Sequence, residues 1–139
     1  MHTALISTDE ERLACFEVLR ELRPRLERDR FLEDLRRLGN GGYQLAAVWH
    51  EGSVRGVAGF RFLEMFHSGT QLYVDDLVTA AADRSHGYGA ALLTFLEQHA
   101  KANGCVVLKL DSAHHRKDAH RFYKRQGMED VSLHFSKTL

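Results

Sequence analysis

The chain has 139 residues, and its 19 Lys plus Arg balance 19 Asp plus Glu to a formal net charge of zero. That length suits a single domain over residues 1–139 with a sizeable core, and the balance leaves no global positive charge for holding nucleic acid. No run approaches the ~20 apolar residues of a membrane span. The opening Met1-His2-Thr3-Ala4-Leu5-Ile6 lacks the basic lead and long apolar stretch of a signal peptide. Cys15 and Cys105 are far apart and fit free thiols in a reducing cytosol, so the expected location is cytoplasmic. Basic residues gather within 20–37 and 116–125, but acids such as Glu27, Asp29, Glu33 and Asp34 stand among them at helical spacing, the pattern of a solvated helix face.

Thr8 and Glu11 can form a capping box, after which Cys15, Val18, Leu19 and Leu22 line one helical face. Pro24 disfavours helical geometry at Arg23, so this helix should stop near Leu22. A second helix is marked by Phe31, Leu35 and Leu38 and ended by Gly39-Asn40-Gly41-Gly42. Strands are expected over 43–49 and 54–62, joined through Glu51-Gly52 as a hairpin. His67-Ser68-Gly69 then turns the chain into a strand over 71–79, rich in β-branched and aromatic residues.

A loop follows, then a helix over 87–102 with Tyr88, Leu92, Leu93, Leu96 and Ala100 on one face, stopped by Asn103-Gly104. A strand over 106–110, a short helix from about Asp118 to Gln126 and a last apolar segment, Val131 to Phe135, complete the order. Tight turns make the early strands antiparallel, whereas the strand–helix–strand crossover demands parallel pairing. The fold class is therefore α/β (α+β), a mixed and mostly antiparallel central sheet flanked by helices.

The most informative stretch is Arg84-Ser85-His86-Gly87-Tyr88-Gly89-Ala90, where a strand ends and an amphipathic helix begins. The first N–H groups of a helix lack intrahelical partners and carry the positive end of its dipole, so an anion is stabilised there. Gly87 and Gly89 remove the Cβ atoms that would keep a pyrophosphate from the backbone, and Arg84 adds a forked cation. Neither G-x-G-x-x-G nor G-x-x-x-x-G-K-[ST] is matched. The pattern R-x-x-G-x-G/A is matched, and Ala119-His120-Arg121-Phe122-Tyr123-Lys124-Arg125-Gln126-Gly127-Met128 fits A-x-x-[FL]-Y-x-x-x-G-F except for its last residue. In this order and at this spacing the two stretches resemble the acyl-CoA loop and the later helix of the GNAT superfamily of N-acetyltransferases.

The resemblance implies the GNAT fold and acetyl-CoA as acyl donor, with its pyrophosphate on Arg84, Ser85, His86, Gly87, Tyr88, Gly89 and Ala90. It places the pantetheine along the backbone of Leu77, Val78 and Thr79, between two strands that splay apart. It also implies an amine acceptor, small molecule or peptide, attacking the thioester directly, and a homodimer paired through the last strand. By alignment with the family's motif tyrosine, Tyr123 becomes the proton donor to the leaving thiolate; a phenol of pKa ~10 is protonated at neutral pH.

Asp75 and Asp76 are candidate bases, sent to opposite faces by strand alternation, and Asp76 ranks first because it directly precedes Leu77. Tyr73 and Glu64 could line the acceptor pocket. Arg116 stands where the family often has asparagine. His114, His115 and His120 lack the additional spaced ligands that zinc needs, so no metal is expected. An acyl-CoA-binding sensor without turnover is the alternative, set apart by the chemistry at Tyr123 and a reachable carboxylate.

Overall fold

The computed structural model describes residues 1–139, whose contacts separate into two units, Met1–Lys109 and Leu110–Leu139. In chain order the first unit carries β1 (His2–Leu5), α1 (Asp9–Leu22), α2 (Arg28–Gly39), β2 (Gln44–His50), β3 (Ser53–Met65), β4 (Gly69–Thr79), a 3-10 turn (Ala81–Asp83) and α3 (Tyr88–Ala102). The short strand β5 (Val107–Leu110) follows, and the second unit holds α4 (Lys117–Arg125). The sheet order is β1-β2-β3-β4-β5, with antiparallel pairing from β1 through β4. Val106 N donates to Thr70 O at 2.9 Å just before β5 begins, which sets β5 at the start of β4.

Local chemistry sets the element boundaries. The Thr8 hydroxyl accepts from Glu11 N at 3.1 Å while the Glu11 carboxylate accepts from Thr8 N at 2.9 Å, closing the capping box of α1. Pro24 ends that helix, leaving Arg23 at φ −120°, ψ 78°. The β2–β3 turn uses left-handed geometry at Glu51 and Gly52, with φ of 51° and 77°, the twist a two-residue hairpin requires.

Strand alternation sorts the sheet residues between two cores. Leu45, Ala47, Val57 and Val78 pack with Cys15, Phe16, Leu19 and Phe31 of α1 and α2, and the Phe16 and Phe31 rings meet edge to face at 5.1 Å. On the other face lie α3 and its buried Leu92, Leu93 and Leu96; His99 of α3 meets the Phe60 ring at 5.7 Å. Burying an apolar side chain of this size contributes ~1.5–3 kcal/mol, so these two layers supply the main support of the sheet.

Two expectations change. β1 was not expected: His2-Thr3-Ala4-Leu5 carries little apolar alternation, and its strand state comes from pairing with Ala46–Trp49 of β2. The last apolar segment is not a strand: 129–139 is irregular, with Val131, Leu133 and Phe135 80%, 72% and 86% exposed. Alternation supplies an apolar face, but a strand also needs a neighbouring backbone to take its N–H and C=O groups.

Candidate active site

The loop from Thr79 to Tyr88 is tied to the scaffold from several sides. Ala80 N donates to Arg55 O at 2.9 Å, Ala81 N to Glu21 Oε1 at 2.9 Å, and Arg55 Nη1 reaches both oxygens of Asp83 at 3.3 and 3.4 Å. His86 Nδ1 lies 3.0 Å from Asp83 O, and its ring stacks on buried Tyr88. Ser85 and Gly87 take φ of 69° and 82°, so the backbone doubles back immediately before α3. The first helical bond is Ala91 N to Gly87 O at 3.0 Å, which leaves the N–H groups of Gly87, Tyr88, Gly89 and Ala90 without intrahelical acceptors. A Cβ built on Gly87 would meet nothing within 4 Å, so the space beside the first of these residues is open. Such a cradle fits a pyrophosphate.

Leu77, Val78 and Thr79 close β4, paired on one side with Ala58, Val57 and Gly56 of β3. β5 meets β4 at its start, where Val106 N bonds Thr70 O, seven residues before Leu77. The other backbone edge of 77–79 is therefore unpaired by the sheet, as a stretch meeting an extended ligand arm must be.

Just before this stretch β4 bulges. Gly59 faces Asp76 and Phe60 faces Val74, so Asp75 is the extra residue. The bulge overturns the simple alternation argument for Asp75 and Asp76, because both carboxylates join one network. Arg61 grips Asp75 with Nε to Oδ1 at 3.1 Å and Nη2 to Oδ2 at 2.7 Å. Arg23 donates Nε to Asp76 Oδ1 at 2.7 Å and Nη2 to the Asp75 carbonyl at 3.2 Å. Tyr43 donates its hydroxyl to Asp76 Oδ2 at 2.7 Å, and the Arg61 guanidinium lies over the Tyr43 ring, 5.5 Å from its centroid.

Burial first, and then the Asp76 carboxylate, push the Tyr43 phenol far above its ordinary value, so it remains a donor. The hydrogen bonds to Asp75 likewise hold Arg61 charged. Asp76 thus has both oxygens occupied, and its side chain is only 13% exposed.

Glu64 lies opposite Thr70, seven residues or ~23 Å along β4 from Leu77. Tyr73 is half-buried opposite Arg61. In the second unit, Tyr123 sits on α4 with its ring 5.5 Å from Phe122. Burial pushes its phenol up, and the nearby Arg116 charge opposes that shift without reversing it. His120 Nε2 lies 2.9 Å from Ala113 O. Cys15 is fully buried with its thiol pushed up to about 12, first by desolvation, and burial also raises Cys105. Neither thiol is poised as an acyl-accepting nucleophile.

Sequence reasoning passed over Arg23, Tyr43, Arg55 and Arg61. The available signal was Arg61 itself, a lone cation inside the apolar run Val57 to Leu63, opposite a strand carrying two adjacent acids.

A family model described as the acetyltransferase (GNAT) family matches residues 6–128. An N-acetyltransferase of Bacillus subtilis is 33% identical over 124 residues, covering 88% of this chain and 87% of that protein. An aminoalkylphosphonate N-acetyltransferase of Salmonella typhimurium is 33% identical over 66 residues, covering 48% of this chain and 43% of that protein. Among solved structures, an aminoglycoside N-acetyltransferase in complex with CoA superposes with a TM-score of 0.83 at 14% identity, covering 99% of this chain and 95% of that one, a likeness of fold. The chain belongs to the acetyltransferase (GNAT) family and is an acetyl-CoA-dependent N-acetyltransferase.

Proposed function

We propose that acetyl-CoA is held with its pyrophosphate on the backbone and side chains of Arg84–Ala90 and its pantetheine along Leu77, Val78 and Thr79, within one domain spanning residues 1–139. The observation that carries this reading is the open cradle of unpartnered N–H groups at Gly87–Ala90. In the reaction an amine lone pair attacks the thioester carbonyl carbon, the C–S bond breaks, and the thiolate takes the Tyr123 hydroxyl proton. The place of Tyr123 in Ala119–Met128, which matches the family's later-helix pattern up to its last residue, supports the assignment. The amine's proton passes to Asp76 or to water. Asp76 can take it only by releasing a bond to Arg23 or Tyr43.

Calorimetry with CoA tests the cradle. Gly87→Val introduces a β-branched residue at φ +82° in space that is otherwise open, and should weaken binding at least tenfold in protein that remains folded. Unchanged affinity would move the cofactor elsewhere.

We further infer that the acceptor is an amine carrying an anionic group. An open surface depression of about 330 Å³ at the α1–α2 corner is lined by Leu22, Arg23, Pro24, Arg25 and Leu26, so its charged lining is Arg25 and Arg23, the latter already holding Asp76. One relative is named for action on an aminoalkylphosphonate, which supports the same class. Guanidinium groups also disfavour an ammonium nearby, and so favour the free amine that must attack. Thiol release with 2-aminoethylphosphonate should exceed that with ethylamine by tenfold or more in kcat/KM; equal rates would refute this class. The two free thiols support a reducing cytoplasm, and the exposed Val131, Leu133 and Phe135 support a second copy covering the C-terminal segment, which sedimentation would reveal.

A further inference from the structure

The β4 bulge is held more firmly than its place in a strand requires. Arg61 closes a two-bond fork on Asp75, Arg23 binds the Asp75 carbonyl and the Asp76 carboxylate at once, and Tyr43 takes the second Asp76 oxygen. These side chains come from three separate places: the end of α1, the start of β2 and the middle of β3. Gly59 is part of the arrangement, since a Cβ there would lie 1.8 Å from the Tyr43 hydroxyl. Together they fix the backbone that runs directly into Leu77–Thr79.

We propose that Arg23, Tyr43 and Arg61 are positioning residues for acetyl transfer, fixing the bulge at Asp75–Asp76 and through it the strand against which the thioester lies. The proposal rests on the placement of the pantetheine along 77–79 given above. It assigns Asp76 a second role as the anchor of a lock, in which both oxygens are occupied before the amine gives up its proton. A strand edge that carries a reacting group must be held to a fraction of an ångström, and a bulge left to itself is a soft point in a sheet.

The test needs no acceptor. Bound acetyl-CoA labelled with carbon-13 at the carbonyl gives an isotope-edited infrared band for the thioester C=O, while calorimetry reads affinity and urea denaturation reads stability. Tyr43→Phe removes one hydroxyl and keeps the ring; Arg61→Lys keeps the charge and loses the fork. In each, the carbonyl band should broaden and move toward that of free acetyl-CoA, while affinity changes less than about tenfold because the pyrophosphate cradle is intact. Tyr43→Phe combined with Asp76→Asn should move the band no further than the stronger single change, since both act on one lock.

A wild-type band in folded Tyr43→Phe and Arg61→Lys would overturn the proposal and leave these groups as stabilising contacts only. So would additive shifts in the double variant. Gly87→Val separates the two readings: if it binds acetyl-CoA as the wild type does, the cofactor placement has failed, whereas its loss of binding together with unshifted bands in the lock variants means that the lock alone has failed.

Discussion

Gly59→Ala should be among the most damaging single-methyl additions to this sheet. A Cβ at residue 59 would lie 1.8 Å from Tyr43 Oη, 2.4 Å from Cζ and 2.7 Å from Cε1, distances no side chain tolerates. Tyr43 is 8% exposed, so its ring cannot swing into solvent without opening the core around it. Moving the ring breaks the 2.7 Å bond to Asp76, a hydrogen bond to a charged group worth ~1.5–3 kcal/mol. Overpacking adds ~1–3 kcal/mol. The sum of about 4 kcal/mol is a large share of the ~5–15 kcal/mol that holds a domain together. At a urea dependence near ~2 kcal/mol per molar it moves the unfolding midpoint down by about 2 M. Equilibrium unfolding followed by circular dichroism is the assay, with Tyr43→Ala as a partner change. Once the ring is gone the added methyl has room, so Gly59→Ala/Tyr43→Ala should unfold no earlier than Tyr43→Ala alone. Unchanged stability in Gly59→Ala, or simple additivity in the double variant, would refute the packing argument.

Tyr123→Phe should lower turnover by ~10²–10⁴-fold with CoA affinity nearly unchanged, if thiolate protonation limits the rate; steady-state rates set beside calorimetry decide this, and full turnover would return Tyr123 to a packing role. Arg84→Ala should weaken CoA binding by ~1–3 kcal/mol through loss of one charged hydrogen bond. Arg55→Met and Asp83→Asn should each weaken CoA binding and do so non-additively, because the pair at 3.3 Å ties down one loop; additive losses measured by calorimetry would uncouple them.

The capping box carries a pH dependence. Bonds from Ser7 N and Thr8 N hold the Glu11 carboxyl below its ordinary 4.5. A lowered folded value contributes stability that is present above 4.5 and lost as pH falls through the folded value. The stability advantage over Glu11→Gln should therefore be full at pH 6 and vanish toward pH 2 in thermal melts, and a gap that persists in acid would exclude this origin.

Much of the scaffold was legible because its signals are local. Thr8 with Glu11, Pro24, Glu51-Gly52 and Asn103-Gly104 each determine a boundary through the geometry of a few neighbouring residues, and the structure follows them. The glycine turn ahead of α3 was legible for the same reason, as a strand end, two glycines and a helix start in immediate succession. What escaped depends on partners distant in the chain. His2–Leu5 becomes a strand only because β2 offers an edge, and Val131–Phe135, for all its apolar alternation, pairs with none.

The network at the β4 bulge is the sharpest case, since Arg23 and Asp76 are 53 residues apart and Tyr43 and Asp76 are 33 apart. Each of these residues taken singly reads as a solvated arginine, a surface aspartate or a core tyrosine. Alternation, the one local rule that applied to Asp75 and Asp76, assumes an unbroken ladder, and a single extra residue suspends it. The information for the bulge is nonetheless in the sequence, distributed over Gly59, which leaves room for the Tyr43 ring, and Pro24, which turns Arg23 out of its helix toward β4. Such residues lack a motif because their constraint is three-dimensional: what must be kept is a set of distances, and several combinations of cation, acid and small residue could supply it.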